Sequence, residues 1–192
     1  MTHPWSVELV RVGTAVPSML RVLREDLVRT LAHAVWVADR SINPSPAFDP
    51  HRQQYNAITL LVMLNDPPPP PDVARIGVTD VDLFLPVFTH VFGEAQLEGT
   101  AAVVSCHRLR PQFGGDPLDQ AVLRSRLLRE TLHELGHVLG LTHCRVSWCA
   151  MAPSRLPEEV DLKDAAFCDR CSERIGVPLD GFRSMAVHER EE

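Results

Sequence analysis

Between Thr131 and Cys144 the chain reads TLHELGHVLGLTHC, which sets His133, Glu134, His137, Gly140 and His143 at fixed intervals. On a helix, positions four apart share a face with Cβ atoms about 5–6 Å apart, so His133 and His137 can reach one ion. Zinc takes imidazole nitrogen at about 2.0–2.1 Å in a tetrahedron, so a hydrolytic site needs a third protein ligand and an open corner. Gly140 supplies the route to that ligand. Just past the last helical turn it can adopt positive φ, end the helix and let His143 swing back. Glu134 stands beside the metal without binding it. From there it can take a proton from a water whose pKa zinc lowers to about 7, then pass it to the leaving amine. A bare His-Glu-x-x-His also arises as a polar helix face with no metal. Gly140 and His143 are what lift this stretch above that reading.

A second constellation lies in the cysteines. Cys144, Cys149, Cys168 and Cys171 form C-x4-C followed by C-x-x-C, the pattern of a closed four-thiolate structural zinc. Reduced buried thiols or a redox C-x-x-C are the alternatives, and a redox pair leaves the other two thiols unexplained. Cys106 stands apart and reads as a buried apolar thiol. Two zinc ions per chain are therefore expected, one catalytic and one structural. Because His143 and Cys144 are consecutive, one peptide bond couples the two sites. Three neutral histidines bring no negative charge and four thiolates do, so the histidine site should lose its metal more readily.

With these residues in view, His133-Glu134-x-x-His137-x-x-Gly140-x-x-His143 resembles the signature of the metzincin zinc peptidases. The continuation HCRVSWCAM and then CDRC is similar to the archaemetzincins, whose signature adds four cysteines and a methionine; Met151 matches the Met-turn. RQQYNA, VTDVDLFLP and VFGEAQ extend the likeness upstream, while the gap from Met151 to Cys168 is about one residue shorter than usual for the family. The resemblance implies an α+β fold: a twisted mixed sheet with about three main helices above a cleft, and a small zinc-stapled C-terminal subdomain. It also implies that a rim strand, here around Val91 to Ala95, pairs with extended substrate.

The elements that must position these residues can be read from hydrophobic period. A strand over Val7 to Gly13 precedes a helix that starts near Pro17 and runs with Met19, Leu20, Leu23, Leu27 and Leu31 on one side. His33 to Asp39 reads as a second strand, and His51 to Asp66 as a second helix stopped by the stiff run Pro67 to Pro71. Val73 to Pro86 carries one or two strands, and Thr89 to Ser105 two short ones joined at Glu98-Gly99. After the glycine-rich loop PQFGGDP a long helix spans Leu118 to about Leu139, with Leu128, Leu132, Leu135 and Leu139 as its apolar stripe. The resemblance then implies an N-terminal subdomain, 1–142, with the sheet and active-site helix, and a C-terminal one, 143–192, within one catalytic domain.

The 192 residues, 45% hydrophobic, suit one globular domain. A net charge of −6 argues against nucleic acid and against an anionic membrane as partners. No secretory leader or membrane span is legible, so a cytoplasmic monomer acting on peptide or protein substrate is expected. The leading function is zinc-dependent peptide hydrolysis with Glu134 as general base. The alternative is a noncatalytic zinc module that holds peptides or partners, for which a base beside the metal has no physical use. A gluzin-type site would recruit Glu158 or Glu159, but His143 is better placed.

Overall fold

A computed structural model describes residues 5–15, 17–111 and 117–176. Along the chain run β1 (Ser6–Val12), α1 (Pro17–Leu31), β2 (Ala34–Ile42), β3 (Phe48–Asp49), β4 (Gln54–Asn56) and α2 (Ala57–Leu64). They are followed by β5 (Val73–Thr79), β6 (Leu83–Phe84), β7 (Gly93–Ala95), β8 (Ala101–Ser105), α3 (Pro117–Val138), α4 (Pro157–Asp161) and α5 (Asp169–Ile175). The main sheet has the order β2-β1-β5-β8-β7, parallel throughout except that β7 runs antiparallel to β8 at the edge. β3, β4 and β6 make a second, small sheet.

Central strands of a parallel sheet are covered on both faces and read as continuous apolar runs. β5, VARIGVT, is buried at every position. The period of two then deals residues to two cores. Leu9, Ile76, Val78, Ala102 and Val104 face α1 and α3, while Val10, Val12, Ala101 and Val103 pack with α2. Phe167, Val160 and Met151 from the C-terminal part join the α3 core. The result is the expected α+β architecture with three main helices. No helix among the described residues is long and apolar enough to cross a membrane.

One expectation needs correcting. The helix read over His51 to Asp66 begins only at Ala57, because Asn56 caps it: its side-chain oxygen accepts from the N–H groups of Ile58 and Thr59. Gln54–Asn56 is instead strand β4, paired with β3 and β6. The other element assignments agree within a few residues. Of the glycine-rich loop, residues 112–116 lie outside the described residues, as does the end of the C-terminal subdomain, 177–192.

Candidate metal centre

The helix α3 carries His133, Glu134 and His137 through its last turns, and the chain then reverses as its glycine demands. Gly140 has φ +88°, its N–H donates to the His137 carbonyl, and the Leu141 N–H donates to the Gly136 carbonyl. That pair of bonds is a Schellman cap with glycine in the left-handed position. His143, three residues on, comes back to the helix, and the ligand nitrogens of His133, His137 and His143 all lie within 4.8 Å of one another.

The ring orientations suit a metal. His133 Nδ1–H donates to the Ala150 carbonyl at 2.8 Å and His137 Nδ1–H to the Leu141 carbonyl at 2.7 Å. Both Nε2 atoms are thereby left as lone-pair donors aimed at one point, 3.1 Å apart. Tetrahedral nitrogens around zinc would stand about 3.3 Å apart at the usual bond length. Burial holds all three imidazoles below the ordinary histidine pKa, most strongly His133, so they are neutral at pH 7 as ligands must be.

Glu134 is buried beside them and packs against the edge strand. A Cβ at Gly93 would fall 2.6 Å from Glu134 Oε1, so the carboxylate occupies the space a side chain on β7 would take. Burial first, and then the charges of Glu130 and Glu94, push its pKa well above the usual carboxylate value; Lys163 opposes them. The edge candidate around Val91 to Ala95 narrows here, because the Val91 N–H already donates to the Leu83 carbonyl of β6. Bonds to β8 use Phe92 and Gln96, so by antiparallel alternation the backbone groups of Gly93 and Ala95 face the open edge.

Below this site the four cysteines converge, all buried, with their sulfur atoms within 4.8 Å of one another. Cys144 Sγ and Cys168 Sγ are 3.8 Å apart, which matches the roughly 3.8 Å edge of a tetrahedron with zinc–sulfur bonds of about 2.3 Å. Burial raises the Cys144 thiol, but N–H donors from Val146 and Arg170 bring it down to about 7. Burial pushes Cys149 up to about 11, so filling the site must release protons. Met151 is fully buried with its sulfur against Gly136, and its carbonyl accepts from the Cys144 N–H. Cys106 is buried away from both groups beside Met19, and burial pushes its thiol up to about 12.

Sequence reasoning missed three residues here. Gly93 gives Glu134 its space, and Glu130 pairs inside the protein with Lys163. One signal was available: among the 19 Lys and Arg residues of the chain, Lys163 is the single lysine.

A mixed α+β domain with two histidines on one helix, a third brought back to them after a glycine turn, and a buried carboxylate beside them has the make-up of a metallopeptidase of the metzincin type. Residues 71–176 match the family model for peptidase family M54. The archaemetzincin of Methanocaldococcus jannaschii is 42% identical over 132 residues, covering 69% of this chain and 72% of that one. The Archaeoglobus fulgidus archaemetzincin is 35% identical over 156 residues, 81% and 90% of the two chains. Its crystal structure with malonate superposes with a TM-score of 0.77 at 32% identity, covering 88% of this chain and 99% of that one. A zinc-dependent peptidase from Methanocorpusculum labreanum gives 0.78 at 31% identity with the same coverage. The chain belongs to peptidase family M54, the archaemetzincins, and is a zinc metallopeptidase.

Proposed function

We propose that His133, His137 and His143 hold a catalytic zinc, that Glu134 is the general base of peptide-bond hydrolysis, and that Cys144, Cys149, Cys168 and Cys171 hold a second, structural zinc. The observation that carries this reading is the convergence of three imidazoles beside Glu134, a buried carboxylate that directly follows His133 on α3. Zinc held by the histidines supplies Lewis acidity to the scissile carbonyl and makes water nucleophilic near neutral pH. Glu134 takes the proton of the attacking water on a carboxylate oxygen and delivers it to the leaving amine nitrogen. Its burial strengthens it as a base and keeps competing water away. The Nδ1–H bonds to Ala150 and Leu141 hold the rings of His133 and His137 with Nε2 forward. The open edge at Gly93 and Ala95 offers backbone groups to an extended peptide, which sets its carbonyl beside Glu134. Among the described residues, 143–176 would form the zinc-stapled part of the same catalytic domain.

The test combines metal content with turnover. Elemental mass spectrometry should find two zinc ions per native chain, one in His137→Ala and two in Glu134→Gln. Glu134→Gln should lose cleavage of a broad peptide library. Undiminished cleavage by Glu134→Gln would end the base assignment. One zinc per chain, unchanged by His137→Ala, would end the histidine site. Full zinc with peptide binding but no cleavage by the native protein would favour a noncatalytic binder.

A further inference from the structure

Lys163 is 2% exposed, the only lysine in a chain that otherwise uses arginine for its basic side chains. Its Nζ donates to Glu130 Oε1 at 2.8 Å and to the Ala152 carbonyl at 3.0 Å. Both partners belong to the active-site frame. Glu130 lies on α3, three residues before His133 and four before Glu134, and is itself buried. Ala152 directly follows Met151, and Ala150, on the other side of Met151, receives the Nδ1–H of His133.

The contacts close a ring. From His133 it passes to the Ala150 carbonyl, along Met151 to Ala152, through Lys163 to Glu130, and back along α3 to His133. Met151, on the path of that ring, packs its sulfur against Gly136. The three-residue segment 150–152 is therefore tied to α3 at both ends, by a neutral bond at Ala150 and a charge-assisted one at Ala152. Among the described residues the segment is the only hydrogen-bond partner of His133 Nδ1, so whatever fixes the segment fixes the ring.

A buried ion pair does not by itself stabilise a fold, because desolvation offsets the attraction; an apolar pair of similar volume often does as well. The pair's place suggests a different use. Arginine is planar and forked, whereas a compact ammonium can point one proton at a carboxylate and another at a single carbonyl. At this position the chain departs from its arginine habit.

We infer that Lys163, held by Glu130, is a positioning residue of the zinc peptidase site, fixing the 150–152 segment so that His133 presents Nε2 to the metal. This rests on the reading of His133 as a zinc ligand, not on the assignment of Glu134 as base. Groups that orient metal ligands from behind are worth about 10–100-fold in metal affinity or activity.

The decisive variant is Glu130→Met/Lys163→Met, which removes both charges and keeps the volume. It should fold with a Tm close to native and retain the cysteine-bound zinc. Its histidine site should bind zinc at least tenfold more weakly, and the cobalt-substituted site should show a changed d–d absorption spectrum. On a cleaved peptide, kcat should fall at least tenfold with KM nearly constant. A folded double variant with native zinc affinity and a native cobalt spectrum would overturn the inference, even if the native protein cleaves nothing. Should the double variant fail to fold, native protein labelled with ¹⁵N-lysine gives one side-chain ammonium resonance. That resonance should shift when the histidine site is filled, with no shift in His137→Ala. An unmoved resonance in the native protein would overturn the inference equally.

Discussion

The carboxylate of Glu134 rests on the bare backbone of Gly93: a methyl group there would stand 2.6 Å from Oε1 and 2.7 Å from Cγ. Glu134 and the sheet edge are thus in contact across 41 residues of sequence. Gly93→Ala should push the carboxylate out of place while leaving the histidines alone. A displacement near 1 Å at a reacting group costs about 100-fold, so kcat should fall by that order with two zinc ions still bound. Steady-state kinetics with elemental analysis checks this, and an active Gly93→Ala protein would show that Glu134 has room to move.

Gly136 makes a similar accommodation two residues further along α3. A Cβ there would collide with Met151 Sδ and lie 3.2 Å from Cε1 of Phe167. Overpacking of this kind costs about 1–3 kcal/mol, and Tm shifts roughly 2–4 °C per kcal/mol in a domain of this size. Gly136→Ala should therefore lower Tm by about 2–12 °C in calorimetry. Met151→Ala opens the space, so the double variant should lose less than the two single losses together. Strict additivity would mean that the strain is absorbed elsewhere.

These two glycines mark the limit of what was legible. The helix period and the left-handed turn at Gly140 are local patterns found where spacing placed them, and the three histidines and the four cysteines each converge as their spacing allows. Helix α2 was misplaced because Asn56 both ends β4 and caps the helix, and apolar periodicity does not register a cap. Gly93 against Glu134, and Lys163 against Glu130, join residues 41 and 33 positions apart. Spacing rules describe neighbours on one element, whereas these contacts exist only after the sheet edge and the C-terminal segment have packed on α3. The single lysine was visible as an oddity of composition, but its partner was not.

The two metal groups should come apart in order. The histidine group is partly open, with His143 exposed, while every cysteine is buried. A graded chelator series should remove one zinc together with turnover and little change in Tm, then a second with a large Tm loss. Because His143 and Cys144 are adjacent, Cys168→Ser should lower occupancy at both sites, whereas His137→Ala should empty one. Elemental analysis at each step reads the order, and loss of the thiolate zinc first would reverse this account.

Asp26 joins the two helices that cover the α3 side of the sheet. It accepts two bonds from Arg124 of α3, at 2.7 and 2.6 Å, and one from Arg29 of α1. Burial alone would raise its pKa, but the two guanidinium groups outweigh burial and hold it below the usual aspartate value. A carboxylate whose folded pKa is depressed adds stability above its unfolded pKa of about 3.9 and loses it as pH falls through the lower folded value. Charge-assisted bonds are worth about 1.5–3 kcal/mol, discounted here because both arginines are half exposed or more. Asp26→Asn should therefore lose about 1–2 kcal/mol at pH 7. The gap between it and the native protein should hold steady from pH 7 to about 5 and close below about pH 4. Paired thermal melts across that range, followed by circular dichroism, would show it, and a gap that widened on acidification would mean that Asp26 is not the charged partner of Arg124.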